Sequence, residues 1–223
     1  MSSKPILYYA ARSPPCRAVL LAAAEIGVEL DLRPMNLLAG EHKTPEFLKI
    51  NPQHTIPVLD DNGVIITDSH VICAYLADKY SKNDNLYPKE LFARNNVMTR
   101  LFFDCGHLFP RVRMAVEPVL YFGRPNVPQE TIEYIQKAYV NVESCLTGHP
   151  YVCGENLTIA DLCCIATIST AHNLAPIDKK TFPNLFAWVE RMSALPYYEK
   201  CNGEGAKLLH EIFLQKMEEN KKK

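Results

Sequence analysis

The chain has 223 residues, 48% of them hydrophobic, and balances 24 Lys and Arg against 25 Asp and Glu for a net charge of -1. That length buries a sizeable core in one large domain or two small ones, and the near-neutral balance lacks the basic footprint of a nucleic-acid binder. No stretch nears the roughly 18 apolar residues of a membrane span, the start "MSSKP" has no apolar leader core, and the tail "KMEENKKK" reads as a solvated, frayed end, so a cytoplasmic protein without membrane or nucleic-acid partners is expected.

In chain order, "PILYY" predicts a strand, residues 14–26 a helix closed by Gly27, "VELDLRPM" a second strand and "TPEFLKI" a short helix. Next come a strand at "TIPVLDD", a tight turn at Asn62-Gly63, a strand at "VIIT" and a helix at "DSHVICAYLADKY". A βαβ unit followed by a ββα unit implies a small mixed sheet with helices packed on it. Residues 81–89, "SKNDNLYPK", read as a linker. From residue 90 onward the periodicity is helical throughout: 90–109, 129–146, 158–174, 183–195 and 204–220. Pro110 and Pro118 predict a kink or break in this region. The expected class is α/β plus all-α, with domain boundaries at 1–80 and 90–223.

Ser13 precedes Pro14-Pro15, residues tolerated only in a helix's first turn, so it reads as an N-cap whose hydroxyl sits at the positive end of the helix, a place for something negative. Pro57 opens the third strand, and Ile56-Pro57 is a candidate cis bond. Asp68-Ser69-His70 follows a strand and opens a helix, giving cap groups and outward backbone N–H groups. Convergence of these three starts at one sheet edge would gather hydroxyls, imidazoles, a carboxylate and free amides, which suits a small peptide. Thr158 and Asp161 resemble a capping box of structural role. The eight cysteines include no CxxC and no Cys/His ligand pair, so reduced thiols and no metal are expected.

The combination "SPPCRAVLL", "NLLAGEHKTPEFLKINPQHTIPVLDDNG", "TDSHVICAYLADKY" and "LTIADL" resembles the cytosolic glutathione transferases, specifically the insect-type epsilon class and its relative, the delta class. The resemblance runs from residue 5 to about 200. It implies a thioredoxin-like first domain, an all-helical second domain, a homodimer, and glutathione as cosubstrate. Ser13 then matches the serine that donates a hydrogen bond to the glutathione sulfur. His42 and His54 match contacts to the glycine end, Ile56 the residue whose backbone pairs with the cysteinyl part in front of a cis Pro57, and Asp68, Ser69 and His70 the group that holds the γ-glutamyl end, with Thr55 and Pro57 in the same glutathione-binding set. Asp68 departs from the Glu usual there. The resemblance places a hydrophobic electrophile against Ala10, Arg12, Leu37, Phe109, Val112, Arg113, Val116, Glu117, Leu120, Tyr121 and Phe213. It implies conjugation, elimination of halide or peroxide reduction in xenobiotic detoxification. The alternatives are a steroid-hormone role, a glutaredoxin-like thiol transferase in which Cys16 is the buried partner of a missing first cysteine, and a non-catalytic ligand carrier.

Overall fold

The structure, a computed structural model, describes residues 4–222. The chain start "MSSKP" and the final lysine of the tail therefore fall partly outside the described residues. Strand β1 (Ile6–Tyr9) runs into α1 (Pro14–Ile26), where Pro14 and Pro15 occupy the first turn and need no N–H partner. Gly27 ends α1 at φ 81°, donating its N–H to the Ala23 and Ala24 carbonyls. Then follow β2 (Asp31–Pro34), a 3-10 turn at Glu41–Lys43, α2 (Pro45–Ile50), β3 (Val58–Asp61), β4 (Val64–Thr67) and α3 (Ser69–Tyr80). Strand order is β2-β1-β3-β4, with β1 and β2 parallel and the other pairs antiparallel. The crossover helix α1 forces the parallel pair. The β3–β4 turn has Asn62 at φ 55° and Gly63 at φ 91°, the doubly left-handed form that suits a two-residue hairpin.

β2 is shorter than the sequence predicts, since it is an outer strand paired only with β1 and three of its four residues are exposed. β3 begins at Val58, after Pro57, whose ring has no N–H to offer a ladder. Residues 81–90 carry no helix or strand. Helices α4 (Leu91–Phe103), α5 (Phe109–Phe122), α6 (Gln129–Leu146), α7 (Ile159–Leu174), α8 (Pro183–Ser193) and α9 (Glu204–Lys221) form the second half. α7 is buried on nearly every face and is the bundle's central rod. It packs on α1, α4, α5 and α9, and so ties the bundle to the sheet layer.

Helix 90–109 does not run through as its periodicity predicts. It widens into a π-type turn at Asp104–Leu108 before α5 starts. Pro110 lies in the first turn of α5, where its missing donor and ring are tolerated, so the break falls just ahead of it. Pro118 lies inside α5, and the helix continues past it to Phe122. A second wide turn, Glu199–Gly203, leads into α9.

At the start of α7, Asp161 is fully buried. Its Oδ2 accepts from the Thr158 N–H and hydroxyl, both at 3.0 Å, and its Oδ1 from Val152 N at 2.9 Å and Trp188 Nε1 at 3.0 Å. The predicted cap is thus also the joint between α7, α8 and the 151–154 loop. All eight cysteines are free thiols.

Candidate active site

A cleft of about 860 Å³ opens between the sheet edge and α5. Three chain turns supply its polar side. In the first, Ser13 N–H donates to Ala10 O at 2.9 Å and Ser13 C=O accepts from Arg17 N at 3.0 Å. Ser13 holds the N-cap position at φ -79°, ψ 119°, yet its side chain caps nothing. Pro14 and Pro15 remove two of the first-turn donors a cap could take, and the hydroxyl does not take the Cys16 N–H either. Its hydroxyl is left to the cleft, against the Cys16 thiol.

Cys16 is fully buried and its Sγ accepts from Ala10 N at 3.5 Å. Burial pushes this thiol up to about 11, outweighing Ser13, the Ala10 amide and Arg17, which all favour the thiolate. Near neutrality it is a protonated thiol.

The second turn is the segment 51–57. Buried Asn51 donates from Nδ2 to Thr55 O at 2.9 Å and Thr55 Oγ1 at 3.1 Å, and its Oδ1 accepts from Gln53 N at 3.1 Å. His54 sits at φ 48°, and the Ile56-Pro57 bond is cis. The rings of His54 and His42 lie 6.1 Å apart. Burial, then the Lys43 and His54 charges, lowers the His42 pKa, so its ring is neutral at pH 7. Among the described residues, His42 Nδ1 and Arg12 Nη2 are buried without a hydrogen-bond partner, and both side chains line the cleft.

The third turn is Asp68-Ser69-His70. Asp68 stands at φ 68°, and its Oδ1 accepts from His70 N at 2.9 Å and Val71 N at 3.3 Å. His70 reaches Asp68 Oδ1 at 3.3 Å with Nδ1 and Asp104 Oδ2 at 2.9 Å with Nε2. Burial opposes the charge on His70, and the Cys163 thiol, Asp104 and Asp68 act against that; the net direction is upward. The two carboxylates carry the rise, because Cys163 is itself pushed well above the ordinary thiol range by its hydrogen bond to Cys73 and by burial, and is uncharged at pH 7. The His70 ring in turn holds the Asp68 carboxyl below its usual range. Asp68, His70 and Cys105 bring one ligand-type atom each within 4.8 Å of one another and are the group here able to hold a metal ion, with the Asp68 oxygen and both His70 nitrogens already engaged.

The opposite wall is mainly apolar. Phe109, Val112, Val116 and Leu120 from α5 line it, with Leu37 facing from the β2–α2 loop and Tyr121 at the rim. Arg113 lies 6.0 Å from the Phe109 ring centroid and pairs with Glu117 at 2.7 Å.

The cleft therefore gathers Arg12, Ser13, Leu37, His42, His54, Thr55, Ile56, Pro57, Asp68, Ser69 and His70 with Phe109, Val112, Arg113, Val116, Glu117, Leu120 and Tyr121. Two expected residues stand outside its lining. Ala10, at 7% exposure, turns into the core beneath the first turn, and Phe213, at 4%, packs inside the bundle. Leu209, one turn earlier on α9, lines the cleft instead. Sequence reasoning also missed Thr170, Cys105 and Asp104. Thr170 and Cys105 reach the cleft through folding of distant helices, while Asp104 signals itself only as a carboxylate in an apolar helical stretch.

Known proteins place this architecture. Family models for the glutathione S-transferase N-terminal and C-terminal domains match residues 7–84 and 113–196. The chain is 41% identical to glutathione S-transferase 1 of Manduca sexta over 213 residues, 95% of this chain and 98% of that protein. An epsilon-class glutathione S-transferase structure from the housefly Musca domestica superposes with TM-score 0.94 at 40% identity, covering 96% of this chain and 98% of that one. A glutathione transferase homologue from Drosophila mojavensis, solved with bound glutathione, superposes with TM-score 0.94 at 42% identity, covering 97% and 98%. With both domain models matched and such identity over nearly its whole length, the chain belongs to the glutathione S-transferase family, beside the insect delta- and epsilon-class enzymes.

Proposed function

We propose that this cleft binds glutathione with its sulfur at Ser13 and joins it to a hydrophobic electrophile lying on α5. One observation carries the reading: Ser13, the segment 54–57 and Asp68-Ser69 line one side of a single cleft whose other side is the apolar face of α5. The neutral His42 ring, with Lys43 and His54 beside it, suits the glycine carboxylate, Ile56 offers backbone groups to the cysteinyl part, and Asp68 with Ser69 suits the γ-glutamyl ammonium. His70, engaged at both nitrogens, acts by fixing Asp68.

A free thiol ionises near ~8.5, so only a few per cent is thiolate at pH 7. A hydrogen bond to a charged group contributes about 1.5–3 kcal/mol, which lowers the bound thiol by roughly one to two pKa units. The N-terminus of α1 acts in the same sense. The Cys16 thiol beside Ser13 stays protonated, so it sets no competing negative charge next to the ligand sulfur. The glutathione proton passes to water. In conjugation the sulfur forms a bond to carbon as the halide departs with its electron pair, or adds to an activated alkene. In elimination the thiolate removes a proton, halide leaves, and glutathione is regained. The proposal extends to peroxide reduction, to detoxification of xenobiotics such as insecticides, and to a cytoplasmic homodimer. Among the described residues no helix is long and apolar enough to cross a membrane.

Thiol–disulfide exchange ranks lower, because Cys16 is sealed from the cleft and protonated. Retention on immobilised glutathione, followed by conjugation with a chlorinated nitroarene, is the expected result. Retention without turnover would favour a ligand carrier, and strong disulfide reduction the exchange reading.

A further inference from the structure

Arg17 is fully buried, and among the described residues its hydrogen-bond partners include no carboxylate. Its Nη1 donates to Ser169 Oγ at 3.2 Å and to Asn202 O and Oδ1 at 3.2 and 2.8 Å. Its Nη2 donates to Ala166 O at 3.2 Å and to Thr170 Oγ1. Every acceptor is neutral, and Nε has no partner among the described residues. Burial pulls the guanidinium down only to about 10, so it remains charged at pH 7. The titratable groups that act on it are the Cys16 thiol and the Tyr198 phenol. A buried cation without an anion is a costly arrangement, tolerated when something else supplies the opposite charge.

Its position says where that charge belongs. Thr170, which holds Nη2, is itself part of the cleft wall, so the guanidinium lies one side chain behind the cleft. Arg17 also stands one helical turn beyond Ser13, and its charge is felt at the Cys16 sulfur, the atom against which the Ser13 hydroxyl rests. α9 closes the rear: a Cβ on Gly205 would collide with the Ala11 carbonyl and the Arg17 Cδ, so no solvent layer separates helix and side chain there.

We infer that Arg17 is a positioning residue whose buried, unpaired charge is completed by the anionic sulfur of a ligand bound at Ser13. The inference rests on the reading of Ser13 given above. Arg17 touches neither substrate nor reacting atom. It biases the thiol equilibrium through the low-dielectric layer of Cys16 and Thr170, and the released proton goes to water.

The test is the ultraviolet thiolate titration of bound glutathione. Removing a unit charge roughly 10 Å away at an effective dielectric of about 20 raises the thiol pKa by about one unit. Arg17→Met is expected to show that rise, and Arg17→Lys, which keeps the charge and loses the fork of hydrogen bonds, to show little. Should Arg17→Met fail to fold, Ser169→Asp gives the guanidinium a carboxylate from a position outside the cleft lining and is expected to raise the thiol pKa, with Ser169→Asn as the uncharged control. A residue needed only for packing would alter melting temperature in Lys and Met variants alike without moving the titration. An unchanged thiol pKa in folded Arg17→Met or Ser169→Asp overturns the inference. Ser13→Ala measured alongside separates the two ideas: a shift there with none at Arg17 sinks only the role of Arg17.

Discussion

Replacing Asp104 with Asn tests how the helical half secures the sheet-edge site. In the native protein Asp104 Oδ2 meets His70 Nε2 at 2.9 Å, with side-chain exposures of 3% and 12%. Asn keeps the shape and one acceptor but removes the negative charge, so the ion-paired bond becomes one from the imidazolium to a neutral oxygen, a loss of about 1–2 kcal/mol. Asp104→Ala leaves His70 Nε2 without its acceptor while Asp68 still faces Nδ1, and costs more than the Asn change, about 3 kcal/mol. The pH dependence has a definite sign. The folded His70 pKa is raised, so its contribution is full below the unfolded value near ~6.5 and is lost as pH rises through the folded value. Urea unfolding from about pH 6 to 9 should therefore show the gap between native protein and Asp104→Asn widest at the acid end and narrowing upward. The glutathione dissociation constant should weaken with it, as Asp68 loses the ring that orients it. A gap that is absent at pH 6, or that widens with pH, refutes this reasoning.

Two further outcomes follow from packing. Asp161→Ala leaves the Val152 and Thr158 N–H groups, the Thr158 hydroxyl and the Trp188 indole without an acceptor; at about 1–3 kcal/mol for each stranded donor, the loss exceeds about 4 kcal/mol, a large share of a typical domain's stability. Chemical denaturation measures it, and a change under about 1 kcal/mol counts against the account. Gly205→Ala pushes α9 against the backbone turn that carries Ser13, with an overpacking cost of about 1–3 kcal/mol and reduced turnover, whereas Gly203→Ala meets only the flexible Glu199 carboxylate and should be tolerated. Equal losses in the two variants would show that the turn is not braced by α9.

Features written in adjacent residues were legible from the chain alone: Pro14-Pro15 before a helix, the Asn62-Gly63 hairpin, a cap at Asp68 or Ser69, Thr158 with Asp161. Each rests on backbone chemistry that a few neighbours decide. Partners far apart in the chain were not legible. His70 meets Asp104 across 34 positions, and the Arg17 side chain finds acceptors 149 to 185 positions away. Nothing in the pattern around "PPCRAVLL" distinguishes a buried arginine from a solvated one on a helix. The wide turn at Asp104–Leu108 was hidden because apolar spacing continues through it. Ala10 and Phe213 came from resemblance alone, and local packing turns both inward.

The central claim, that Ser13 stabilises ionised glutathione sulfur, is tested most directly by titrating the thiolate absorbance of glutathione bound to the native protein and to Ser13→Ala. The account predicts that the variant still binds glutathione while its thiol pKa climbs by roughly one to two units toward the free value. A bound thiol that ionises at the same pH in both proteins would contradict it.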